Sequence, residues 1–158
     1  MDEIHDTTAT NTVTAAPPRT TPMHLWVVGI LSLFWNCFGA LDYTMTNIHN
    51  AAYLAKVPAE MIAYVGSVPA WFTVFWALGV WGALAGSVLL LMRNRLAVPV
   101  FAASLLGLAV TTLYQHVINP APAEMRDGMM FGITVLIWAI AIALLLYART
   151  MARQGVLR

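Results

Sequence analysis

The stretch LWVVGILSLFWNCFGALDYTMTNIHN, residues 25–50, decides how this chain is read. Its first half is continuous apolar helix-forming sequence. Its far end is crowded with Asn36, Asp42, Tyr43, Thr44, Thr46, Asn47, His49 and Asn50. The apolar part, residues 24–43, is roughly 20 residues long and rises ~30 Å as a helix, the thickness of a bilayer's hydrocarbon core. Asp42 is the only acidic residue in or at the edge of any apolar run.

Outward from this stretch the same character repeats. The chain has 158 residues, 60% of them hydrophobic and 9% charged, where a soluble domain carries about a quarter charged residues. Three more apolar runs follow, over residues 70–92, 96–117 and 129–148. Low charge with several such runs is the signature of a membrane protein. A net charge of +1 gives no electrostatic reason to expect a nucleic-acid partner. Cys37 is the single cysteine, so no intrachain disulfide is expected, and its place in an apolar span reads as a packing residue.

The connections complete an all-α integral membrane four-helix bundle of up-down-up-down topology. Residues 1–22, rich in Thr, Ala and Pro, read as a disordered cytoplasmic tail. They lack the basic start and early short apolar run of a signal peptide. In the loop 44–70, Pro58 opens a short helix, PAEMIAYVG, whose apolar side is Met61, Ile62, Tyr64 and Val65. It is expected to lie at the membrane interface in the first outer loop. The link MRNR makes the second and third spans a tight hairpin, and INPAPAEMRDG separates the third from the fourth. Residues 23–148 thus form the transmembrane domain, and residues 149–158 a basic cytoplasmic tail. No internal repeat of the kind that marks many transporters is visible.

Orientation follows from Lys and Arg. Arg19, Arg93, Arg95, Arg149, Arg153 and Arg158 fall on one side, and Lys56 and Arg126 on the other. The positive-inside rule then places both ends of the chain in the cytoplasm. Arg93 and Arg95 are expected to snorkel to lipid headgroups.

Packing between membrane helices relies on small residues and hydrogen bonds, because lipid supplies no hydrophobic drive. Gly79, Gly82, Ala83 and Gly86 make two small-xxx-small pairs on the second span. Gly107 lies on a stripe of the third with Ser104, Thr111 and Gln115. Gly39 lies on a stripe of the first with Ser32, Asn36, Tyr43 and Thr46, within about 80° of arc. Such stripes serve equally as the bundle interior or as a homodimer face.

Depth adds more. Counted from His24, Asn36 lies ~18 Å and Asp42 ~27 Å along the first span. Counted from Leu96, Thr111 lies ~22 Å, Gln115 ~28 Å and His116 ~30 Å along the third. All four helices become more polar toward the outer face. This predicts a shallow polar cup open to the outside, built from Asn36, Asp42, Tyr43, Thr111, Gln115 and His116, with Asn36 near its floor. Asp42 and His116 either meet at the rim as a ligand- or proton-binding pair or anchor helix ends at the interface. Haem would need facing histidines at matched depth. His24 and His116 lie at opposite ends and His5 and His49 outside the spans, so no haem or other cofactor is expected. His49, His116, Asp42 and Glu60 show no metal-ligand spacing. No nucleophile motif or phosphate-binding glycine loop is present, so no enzymatic activity is expected. Trp26 and Trp71, near the span ends, read as interfacial aromatics, and the deeper Trp35, Trp76, Trp81 and Trp138 as packing residues.

The segments WNCFGALDYTMTN (35–47), AYVGSVPAWFTVFWALGVWGALAGSVLLLMRNRLAVPVFAASLLG (63–107) and LLLYARTMARQGVL (144–157) carry a likeness. The chain resembles a group of small four-span bacterial inner-membrane proteins often labelled "sugar transporter". The likeness covers about residues 24–157. It implies a four-span fold in a bacterial inner membrane and points the function toward transport; it assigns no functional residue. The expectation is therefore a small-solute, sugar-like transporter or permease component. Four helices leave little room for a gated path, so it would work as an oligomer. The alternative is a non-enzymatic accessory or structural subunit of a membrane complex. The partners expected are the lipid bilayer and a second copy or another membrane protein. An alkaline phosphatase fused after Arg158 should stay inactive in cells; an active fusion would reverse the orientation.

Overall fold

The computed structural model describes residues 21–123 and 126–158. The expected tail therefore lies outside the described residues except for residues 21–22, as do Arg19 and Glu124. The described chain is all-α: α1 (Met23–Asn47), α2 (Ala51–Leu54), α3 (Ala59–Ser67), α4 (Ala70–Leu91), α5 (Ala97–Leu113) and α6 (Gly128–Arg153). A π-helical turn, Tyr114–Ile118, extends α5. The helices α1, α4, α5 with its extension, and α6 are long and apolar enough to cross a membrane. They also carry large apolar side chains outward: Phe34 is 64% exposed, Val74 65% and Phe131 62%. Apolar groups outside as well as inside are what a bilayer solvent selects, and the chain is a multi-pass membrane protein.

The helix ends share one device. Three of them close with paired bonds from the next two backbone N–H groups. At α1, His49 N donates to Thr46 O (3.2 Å) and Asn50 N to Met45 O (3.1 Å). At α4, Arg93 N reaches Leu90 O (3.0 Å) and Asn94 N reaches Leu89 O (2.9 Å). At α6, Gly155 N reaches Ala152 O (3.1 Å) and Val156 N reaches Met151 O (3.0 Å). This closure needs a left-handed residue, and His49 (φ 54°), Arg93 (φ 56°) and Gly155 (φ 72°) supply it. α1 runs past the expected limit at residue 43 because its polar residues bond within the helix. Thr44 Oγ1 donates to Ala40 O (2.6 Å) and Asn47 Nδ2 to Tyr43 O (2.9 Å).

The long helices stand in the order α1, α4, α5, α6, each packed on its neighbour, with α4 and α5 closest. The α4–α5 contact is a backbone contact. A Cβ built on Gly107 would lie 2.6 Å from both Gly79 N and Phe75 O. One on Gly86 would lie 2.7 Å from the Phe101 ring, and one on Gly82 3.0 Å from Ser104 Cβ. Ser104 Oγ donates across to Gly79 O at 2.5 Å. Gly39 faces Val80 of α4. Cys37, expected among packing residues, lies exposed on the outside of α1.

One end of the bundle is sealed. Leu25, Leu90, Ala97, Phe101, Leu144, Leu145, Ala148, Met151 and Leu157 form its core. His24 Nδ1 lies 2.6 Å from Tyr147 Oη, fastening α1 to α6 there. Of the expected basic tail, 149–158, the first five residues continue α6 and residues 154–158 fold back over the α4–α5 link. Arg158 N donates to Arg93 O (2.7 Å) and Arg95 N to Arg158 O (3.0 Å). The side chains expected to seek headgroups bond the chain itself: Arg95 Nε to Leu157 O (3.0 Å) and Arg93 Nη1 to Thr21 Oγ1 (2.7 Å). Leu157 is fully buried beneath them.

Gly107→Ala should destabilise the bundle by about 1–3 kcal/mol, the range for forcing atoms into a filled contact. Gly132→Ala, with nothing within 4 Å of its added Cβ, should leave thermal unfolding in detergent unchanged or slightly higher.

Candidate functional site

At the end opposite the sealed core the four helices part around a cavity of about 920 Å³, a size that suits a small ligand. All four long helices and the α2–α3 connection line it. The apolar side of α3 faces the cavity: Met61, Ile62, Tyr64 and Val65 all border it. Tyr64 holds α3 there. Its Oη donates to Asn119 O (2.8 Å) in the loop after α5. Burial, with a smaller contribution from Tyr114, pushes its phenol pKa upward.

Asn36 sits low in the cavity wall. Its Nδ2 donates to Ala83 O (3.2 Å) and Ser87 Oγ (2.9 Å) of α4, while Ser87 Oγ itself donates to Ala83 O (3.0 Å). A backbone carbonyl only accepts, so the amide orientation is fixed and Oδ1 is left as an acceptor with no partner among the described residues. Thr111 and Thr134 behave alike. Thr111 Oγ1 donates to Gly107 O (3.0 Å) and Thr134 Oγ1 to Met130 O (2.9 Å). Their hydrogens are engaged within their own helices and their lone pairs remain. Gln115 and Lys56 border the cavity with no side-chain partner among the described residues. The cavity is thus rich in acceptors, has donors at its mouth, and is walled by aromatic and aliphatic side chains.

Of the side chains expected in the cup, Asn36, Asp42, Thr111 and Gln115 line the cavity; Tyr43 and His116 do not. Tyr43 turns to α4, its ring edge-on to Trp76 at 5.0 Å. His116 is exposed, with Nδ1 2.8 Å from Thr112 O of its own helix. Asp42 is therefore paired with another residue. Tyr53 Oη donates to Asp42 Oδ1 at 2.5 Å. This bond, helped by burial and by the nearby negative charge, pushes the Tyr53 phenol up to about 12. Tyr53 is placed by Asn50, whose Oδ1 caps α2 through Tyr53 N (3.0 Å). Sequence reasoning missed Tyr53 and Lys56, although an Asn before a short apolar run was a cap signal. It also read Trp35 and Trp76 as packing residues, and both line the cavity. Among the described residues no three His, Cys, Asp or Glu side chains gather as metal ligands.

The bond between Asp42 and Tyr53 carries a pH signature. A raised folded pKa stabilises fully below the ordinary value of 10 and is lost as pH rises through about 12. Ultraviolet difference titration against Tyr53→Phe should show this one phenol ionising near 12, and Asp42→Asn should bring it back toward 10. A Tyr53 titration unmoved by Asp42→Asn would dissolve the pair. No family model, curated protein or solved structure matches this chain.

Proposed function

We propose that this membrane protein binds a small hydroxyl-rich, sugar-like solute in the cavity and works as a transporter or permease component. The observation that carries the reading is the acceptor-rich floor. Asn36 Oδ1, Thr111 Oγ1 and Thr134 Oγ1 offer lone pairs to ligand hydroxyls, and Gln115 offers a full amide. Aromatic faces beside such groups, here Trp35 and Trp76, suit the apolar faces of a sugar ring. The resemblance to small bacterial proteins labelled "sugar transporter" supports the same direction, in a bacterial inner membrane. The arginine asymmetry supports an orientation with both chain ends in the cytoplasm and the cavity facing out. The proposed role is non-enzymatic.

The sealed core closes the opposite end, so passage through the membrane requires rearrangement or a second copy of the chain. The unpaired apolar faces of α1 and α6 favour a second reading, an accessory subunit whose partner is another membrane protein. In proteoliposomes the protein should give saturable uptake of a labelled monosaccharide. Asn36→Leu should abolish uptake while leaving thermal unfolding within a few degrees of wild type. Absence of uptake together with stoichiometric co-purification of one membrane partner would favour the accessory role.

A further inference from the structure

The cavity does not stop at its polar half. α1 and α6 make no extended contact, and a second hollow of about 410 Å³ lies between them. The two hollows share Phe34, Trp35, Ile140 and Leu144 as walls. They adjoin along the α1–α6 gap, a seam that descends toward the sealed core. Its walls are otherwise Val28 and Leu31, with Ser32 engaged by its own helix through Gly29 O (2.9 Å). Its flanks open outward through Phe34 and Phe38, 64% and 58% exposed. The His24–Tyr147 bond and the packed Leu25 close it below.

Chemistry is therefore graded along one space. Acceptors line the cavity wall from Asn36 upward and the donors of Gln115 and Lys56 stand toward its mouth, while the seam below is almost wholly apolar. A free sugar would leave the seam to lipid, and a plain lipid tail would set hydrocarbon against Asn36 Oδ1 and the Gln115 amide, which is unfavourable for polar groups taken out of water. One molecule satisfies both halves when it has a hydroxyl-bearing head and a single apolar chain. Resting on the sugar-like reading above, we infer that the α1–α6 seam takes the chain of such an amphiphile, entering sideways from the bilayer, so that the ligand class is a chain-linked glycoside. The seam also limits the chain. From Asn36 down to Val28 is eight residues, ~12 Å of helix rise, which holds an extended chain of about eight to ten carbons.

The test places the protein in lipid nanodiscs and adds octyl glucoside brominated along its chain, reading tryptophan quenching. Saturable quenching is expected, displaced by unlabelled octyl glucoside and reduced in Trp35→Phe. Methyl glucoside should displace it at least about tenfold less well, the scale of two buried methylenes. Dodecyl glucoside should compete no better than octyl. Val28→Phe, which narrows the hollow between α1 and α6, should remove the chain-length preference. Its melting temperature should stay within a few degrees of wild type, and Val28→Leu should give a partial effect. If methyl and octyl glucoside compete equally, the seam inference falls and the sugar-binding cavity stands. If quenching is unsaturable and nothing displaces it, both fall.

Discussion

The rest of the bundle hangs on the backbone contact between α4 and α5. Gly107 meets Gly79 and Phe75 with no room for a side chain, and Ser104 bonds across to Gly79 O. Lipid competes for every apolar surface on equal terms, so a membrane helix pair is held by close fit and hydrogen bonds rather than by escape from water. The glycines provide that fit. α1 then docks on α4 and α6 on α5, which leaves the outer two helices facing one another with no comparable glycine contact between them. Where Leu, Met and Phe side chains fill the gap, the bundle seals. Where they do not, it opens into the cavity. The tight centre and the open edge are two consequences of the same row of helices.

The polar groups follow the same logic. Asn36 is held by Ala83 O and Ser87 Oγ, so the α1–α4 contact is made partly by an amide. That amide has more capacity than the contact uses, and its remaining oxygen faces the cavity. A single side chain thus ties two helices and presents a ligand-binding atom. Asp42 lies higher, exposed and bonded to Tyr53, which couples α1 to the connection crossing the cavity mouth. Tyr64 makes the matching tie from α3 to the loop after α5.

The spans were legible because length and hydropathy are properties of sequence alone. The cup was legible in height and only partly in direction. Rise per residue gives depth, but each residue also turns ~100° about its helix. Asp42 and Gln115 line the cavity while their neighbours Tyr43 and His116 point elsewhere, and only the packing partner fixes that rotation. The π-helical turn from Tyr114 shifts the phase again, and nothing in YQHVI announces it. Tyr53 and Lys56 reach the cavity from outside any span, a tertiary fact with little local trace. The docking of residues 154–158 had a signal that basic composition obscured: Gly155 after a helix, followed by Val156 and Leu157, is a helix-ending pattern with an apolar contact.

That docking sets an order on biosynthesis. Residues 154–158 leave the ribosome after all four long helices, yet they supply the Leu157 plug and the two backbone bonds that occupy Arg93 and Arg95. Until they arrive, the α4–α5 link keeps open backbone groups and its end of the core lacks a side chain. The helices can insert one after another as they are made, whereas the sealed end is completed by the last few residues of the described chain.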